Sequence, residues 1–127
     1  MAKKSKPYTL NFTQKPGYVH AVATGKNSVE NMHAYLEELV RECAARGDRR
    51  VLIEERLVGP RLGMVDVFDL ASAVSERARG LFEAIAYVDI NAENDLNIKF
   101  GENVAVNRGL RVRVFRKIED AAEWLKS

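Results

Sequence analysis

Thiol chemistry is nearly absent from this sequence: a single cysteine, Cys43, stands among 127 residues. A lone cysteine forms no internal disulfide, so the expected fold is held by its core and suits a reducing cytoplasm. Histidine is almost as scarce. His20 and His33 are the only two, no third ligand is placed to join them, and a metal site needs three or four convergent groups. Long apolar runs are missing too, and none approaches the roughly 20 residues of a membrane span. Lys3, Lys4 and Lys6 have no apolar stretch behind them, which excludes a secretory signal or an anchor there. Residues 1–7 therefore read as a short, disordered basic tail ahead of one domain over residues 8–127. Nor does charge of one sign dominate. Twenty basic against eighteen acidic residues give a net charge of +2, much of it in the tail, so the clustered basic face that nucleic acid requires is not expected. GxSxG, GxGxxG and the Gly-Lys-Ser/Thr ending of a phosphate loop are all lacking, which leaves hydrolase, dinucleotide and nucleotide-triphosphate readings without support. No cofactor is called for.

What is present is ordinary for a globular domain: 46% apolar and 30% charged residues, in a chain long enough to bury about two-thirds of its unfolded surface in one core. Tyr8 to Thr13 alternates apolar and polar residues, the period of a half-buried strand, and Pro16-Gly17 turns it into a second strand over Tyr18 to Thr24. Ser28 is a suitable N-cap for a long helix, with Glu30 in the first turn favourable to the dipole. Val29, Met32, Leu36, Leu39, Val40 and Cys43 form its apolar stripe, and Gly47 ends it. Val51-Leu52-Ile53 is a third strand, ended by Glu54-Glu55. A second helix follows over about Met64 to Arg79, with Met64, Val67, Phe68, Ala71, Val74 and Ala78 as its stripe. Ala84 to Ile90 is apolar at nearly every position, as a strand covered on both faces is. A third helix is expected over Asp95 to Arg108, anchored by Leu96, Phe100 and Val104, then an edge strand over Arg111 to Phe115 and a last helix over Ile118 to Leu125.

The order β-β-α-β-α-β-α-β-α implies an α/β fold, a single domain with a mixed, mostly parallel five-stranded sheet and four helices. That order, with AIAYVD at the fourth strand, VRVF at the fifth and EDAAEWL at the end, resembles the SpoIIAA-like branch of the STAS superfamily, the anti-sigma factor antagonist domains. The resemblance runs from about Tyr8 to Leu125. It implies a cytoplasmic, non-enzymatic regulatory module that binds other proteins, and some members look like lipid or nucleotide binders. Regulated members carry an Asp-Ser or Asp-Thr at the start of the helix after the third strand. Here that region, Gly59 to Asp66, holds no hydroxyl, so a phosphoserine switch does not carry over. Ser72 and Ser75 lie too far into the helix for a phosphate to meet its favourable end.

The stretch Arg50 to Asp69 joins a strand to a helix at the sheet edge where open α/β folds place their sites. Arg56, Leu57, Val58, Arg61, Leu62, Met64 and Val65 are accordingly the candidate partner- or ligand-binding residues. Their apolar side chains either make a docking surface, for a protein partner or a second copy, or fold back over the core. Arg61, beside backbone amides at a helix start, could hold an anion. A carrier of a small apolar or lipid-like ligand, its polar end near Arg61, is the alternative. Glu54, Glu55 and Asp89 are weaker candidates at an acidic rim, opposite Arg116 and Lys117. Such carboxylates suit Mg²⁺ and phosphotransfer, although strand ends are rich in solvated charge in any case. Cys43, on an apolar stripe far from any base, reads as an inert buried thiol.

Overall fold

In the computed structural model, which describes residues 7–91 and 96–127, β1 (Tyr8–Lys15) and β2 (Tyr18–Lys26) form the expected antiparallel hairpin, with Lys15 opposite Tyr18 across Pro16-Gly17. The elements that follow are α1 (Val29–Arg46), β3 (Arg50–Val58), α2 (Met64–Ala78), β4 (Ala84–Asp89), α3 (Leu96–Asn107), β5 (Val112–Phe115) and α4 (Ile118–Lys126). Strands lie in the order β1-β2-β3-β4-β5, and every pair after the hairpin is parallel. The α/β class and element order thus match the reading of the sequence. Residues 1–6 of the expected tail, the expected helix start at Asp95 and the side chain of Leu96 lie outside the described residues.

Because each crossover advances one strand in the same direction, right-handed connections place α1, α2 and α3 on one face of the sheet. α4, reached after the edge strand, packs on the other, against β3, β4 and β5. Alternation along β3 then decides what each layer receives. Val51, Ile53 and Leu57 join Tyr35, Leu39, Val40 and Cys43 under the three helices, while Leu52 joins Ala86, Val88, Ala121 and Leu125 under α4. Fully burying Leu125 contributes about 2 kcal/mol. Ser28 caps α1 as expected, its Oγ accepting from the Asn31 amide at 3.1 Å, and Gly47 closes it in the left-handed conformation. Glu102, buried on α3, accepts from the amide of Val114 at 2.6 Å and so fixes the edge strand β5 to the helix beside it.

Gly25 is required by space as well as by conformation. Its φ is 137°, and a Cβ there would stand 2.9 Å from the carbonyl oxygen of Pro7 and 3.0 Å from Cα of Tyr8, its partner across the hairpin. Both obstacles are backbone, so neither can rotate aside. Gly25→Ala should destabilise the protein by about 2 kcal/mol or more, read as a lower urea midpoint at unchanged slope.

Two expectations change. β3 runs on to Val58, so Glu54 and Glu55 do not end the strand but sit inside it with side chains on opposite faces. Met64 and Phe68 leave the α2 stripe: they are 57% and 43% exposed, while Leu70 and Ser75 are buried in their place. The reason is the approach of α2 to the sheet, which turns its Val67, Leu70, Ala71, Val74, Ser75 and Ala78 edge inward and leaves the first turn projecting. Phe68 rests on α3 instead, its ring 6.4 Å from that of Phe100.

Candidate functional site

The loop between β3 and α2 is held from below by three asparagines. Asn27, just past β2, donates its backbone N–H to the Val58 carbonyl and its side-chain amide to the Pro60 carbonyl, both at 2.7 Å. Asn91, just past β4, donates to the Leu57 carbonyl at 2.9 Å, and Asn97, in the first turn of α3, to the Leu62 carbonyl at 3.1 Å. A loop that makes few hydrogen bonds of its own is thereby tied to the two neighbouring strand ends and to a helix.

Beneath it lies an acidic cluster. Glu55 and Asp89 are direct partners in the β3-β4 register and both point toward the helical layer. Glu55 is wholly buried, and the Tyr35 hydroxyl donates to its Oε1 at 2.5 Å. Burial, and after it the neighbouring Asp89, push the Glu55 carboxyl up to about 8, with the Tyr35 and Tyr87 hydroxyls drawing it the other way. Burial likewise lifts the Tyr35 and Tyr87 phenols well above their usual range, with Glu55 adding to the effect. Arg61 reaches down from the loop to ion-pair with Asp89, whose side chain is 1% exposed. The amide of Asn91 donates to the other Asp89 oxygen at 3.0 Å. One arginine, two carboxyls and two phenols thus form a single polar group under an apolar loop.

Between this cluster and the far end of the helical layer is a cavity of about 160 Å³, bounded by α1, α2, α3 and the sheet. Its walls are almost wholly apolar: Leu36, Leu39, Ile53, Leu70, Val74 and Ile85 are representative. Arg61, Leu62, Asn97 and Asn27 stand at the loop end and Phe82 and Leu110 at the other. Ser75 is the polar exception deep in the wall. It is 1% exposed, and among the described residues its hydroxyl has no hydrogen-bond partner.

The candidate residues therefore divide. Leu57 is fully buried core, which removes it from any docking surface, and Leu62 is half-buried over the cavity. Val58, Met64 and Val65 are exposed, at 60%, 57% and 73%. Arg56 lies on the α4 face of the sheet with Glu54, to which it is ion-paired, and Glu54 also bonds His20 Nε2 at 2.9 Å. Glu54 is accordingly separated from Glu55 and Asp89 by the sheet itself, and the three do not converge. Cys43 is buried, and burial pushes its thiol up to about 12, as an inert thiol requires.

Tyr35, Tyr87 and the three asparagines were not singled out by the sequence, and Ser75 entered only as a rejected phosphate acceptor. Tyr35 offered a signal: it lies three residues after Met32 and four before Leu39, on the inward face of α1. The asparagines follow strand ends, a position where side-chain amides commonly satisfy loop carbonyls.

No family model matches the sequence, and no curated protein does either. Solved structures do. An anti-sigma factor antagonist from Mycobacterium paratuberculosis aligns with a TM-score of 0.62 at 12% identity, over 94% of this chain and 95% of the other. An uncharacterised DUF3478-family protein with a SpoIIAA-like fold, from Shewanella loihica PV-4, aligns at 0.55 with 15% identity over 98% of each chain. The fold is SpoIIAA-like. At these identities the likeness is one of architecture, and it agrees with the STAS-type resemblance of the strand and helix order. Within that SpoIIAA-like frame the loop after β3 departs in chemistry from what the resemblance implies for regulated members. α2 begins at Gly63 with no side-chain cap, and no hydroxyl occurs from Gly59 to Asp66. Among the described residues, no helix is long and apolar enough to cross a membrane.

Proposed function

We propose that this protein is a non-enzymatic binding module of regulatory type that docks a protein partner, or a second copy, through the end of β3 and the first turns of α2. The observation that carries this reading is the exposure of Val58, Met64, Val65 and Phe68 along one stretch of chain, where an exposed apolar patch marks an interaction site. The shared fold with an anti-sigma factor antagonist supports it. Arg61 is committed to Asp89, so on this reading it stiffens the loop rather than meeting the partner.

Val65→Asp tests the surface. At 73% exposure the substitution should change stability by no more than about 0.5 kcal/mol, yet shift sedimentation toward monomer or remove the bound protein in a pull-down from native cells. Unchanged assembly together with an unchanged set of bound proteins would count against the docking surface. Leu62→Asp is a poorer probe, since Leu62 also lines the cavity.

A second reading, a carrier of a small apolar molecule, is supported by the cavity beneath the same loop. It places the ligand inside the helical layer, with Arg61 and Asn97 at its loop end.

A further inference from the structure

Cavities in protein interiors are usually too small to hold a ligand, because side chains pack to the density of organic crystals. A volume of about 160 Å³ is of another order: an apolar cavity of about 150 Å³ stays dry and takes up benzene. The volume therefore suits one ring or a short branched chain, and a full acyl lipid would not lie wholly inside.

The wall adds a chemical requirement. Ser75 is a hydroxyl on the inward edge of α2, 1% exposed, lining the cavity and without a hydrogen-bond partner among the described residues. A buried hydroxyl without a partner costs free energy that alanine at the same place would not, and such groups in folded proteins call for an explanation. A trapped water needs two to four polar partners. The side chains beside Ser75 along the same helix edge, Ala71, Val74 and Ala78, supply none. The other unpartnered lining atom, Oδ1 of Asn27, is an acceptor at the loop end. Near the cavity Arg61 is already ion-paired with Asp89, and the Tyr35 hydroxyl donates to Oε1 of the neutral Glu55 carboxyl. A charged ligand would have to displace one of these pairs, whereas a neutral one would not.

Resting on the carrier reading, we propose that the cavity holds a small uncharged molecule of about one ring, bearing a single hydroxyl that completes the hydrogen bonding of Ser75. The ring sits among Leu36, Ile53, Leu70 and Ile85. A hydroxyl can both donate to and accept from the Ser75 hydroxyl.

Phenol and toluene, equal in shape and differing in the hydroxyl, are the probes. Each is titrated into the full chain, with affinity from calorimetry and location from amide shifts of Ala71 and Gly101 in two-dimensional NMR. Wild type is expected to bind phenol at least as tightly as toluene, because Ser75 compensates the desolvation of the phenol hydroxyl. Ser75→Ala is expected to bind toluene as before and to lower the phenol-to-toluene affinity ratio by roughly tenfold. Toluene binding with phenol excluded in wild type would overturn the hydroxyl assignment and leave the carrier reading standing. An unchanged ratio in Ser75→Ala would do the same. Neither probe moving the cavity amides would overturn both.

Discussion

Replacing Glu55 by glutamine should stabilise the protein at alkaline pH. The Glu55 carboxyl is held neutral by burial and by Asp89, with its pKa raised from 4.5 to about 8. Below pH 4.5 it is protonated in both folded and unfolded chains and contributes no pH dependence. Between 4.5 and 8 the unfolded chain releases the proton while the folded one retains it, so unfolding is favoured progressively as pH rises. Above 8 the full cost is present, on the order of several kcal/mol. Glutamine has the same shape, accepts from Tyr35 and carries no charge. The expected result is that wild type and Glu55→Gln have similar urea midpoints at pH 4, that wild type falls behind by pH 7, and that the gap is largest at pH 9. A variant less stable than wild type by the same amount at every pH would show that Glu55 is held as a satisfied carboxylate.

The second large effect is expected at Arg61. Its guanidinium is about a third exposed, but the carboxylate it meets is almost completely buried. Removing one member of such a pair leaves an uncompensated charge, which costs about 3 kcal/mol. Arg61→Ala should therefore destabilise wild type by about that amount at neutral pH. In an Asp89→Asn background the buried charge is gone while the Asn91 amide keeps its acceptor, so the same change should cost less than about 1 kcal/mol. Equal costs in the two backgrounds would assign the stability of the loop to contacts of Arg61 other than Asp89. The outcome bears on function because Arg61 ties the loop that carries the exposed apolar residues to the cluster that walls the cavity.

The two proposed binding surfaces lie on different sides of one loop. Val58, Met64 and Val65 face solvent, whereas Leu57 and Leu62 turn inward. Leu57 and Val58 are successive residues of β3 and so point to opposite faces, while Met64 and Val65 lie in the first turn of α2, which projects from the sheet. Phosphotransfer chemistry is less well served: Glu54 lies across the sheet from Glu55 and Asp89, and Asp89 is already paired with Arg61.

By itself the sequence determined the architecture. Alternation in Tyr8–Thr13, the Ser28 cap, Gly47 and the apolar run at Ala84–Ile90 are local signals, each read within a few residues, and together with handed crossovers they imply a mixed, mostly parallel sheet. Only the tertiary structure decided the site. That Glu55 meets Asp89, that Tyr35 reaches Glu55 from another element and that Ser75 faces an empty volume depend on strand register and on how closely α2 approaches the sheet. Those quantities are set by long-range packing, in which a shift of one residue reverses the face of every side chain on a strand. The chain segment Arg50 to Asp69 thus carries the proposed site, while the side chains around it come mostly from other strands and helices.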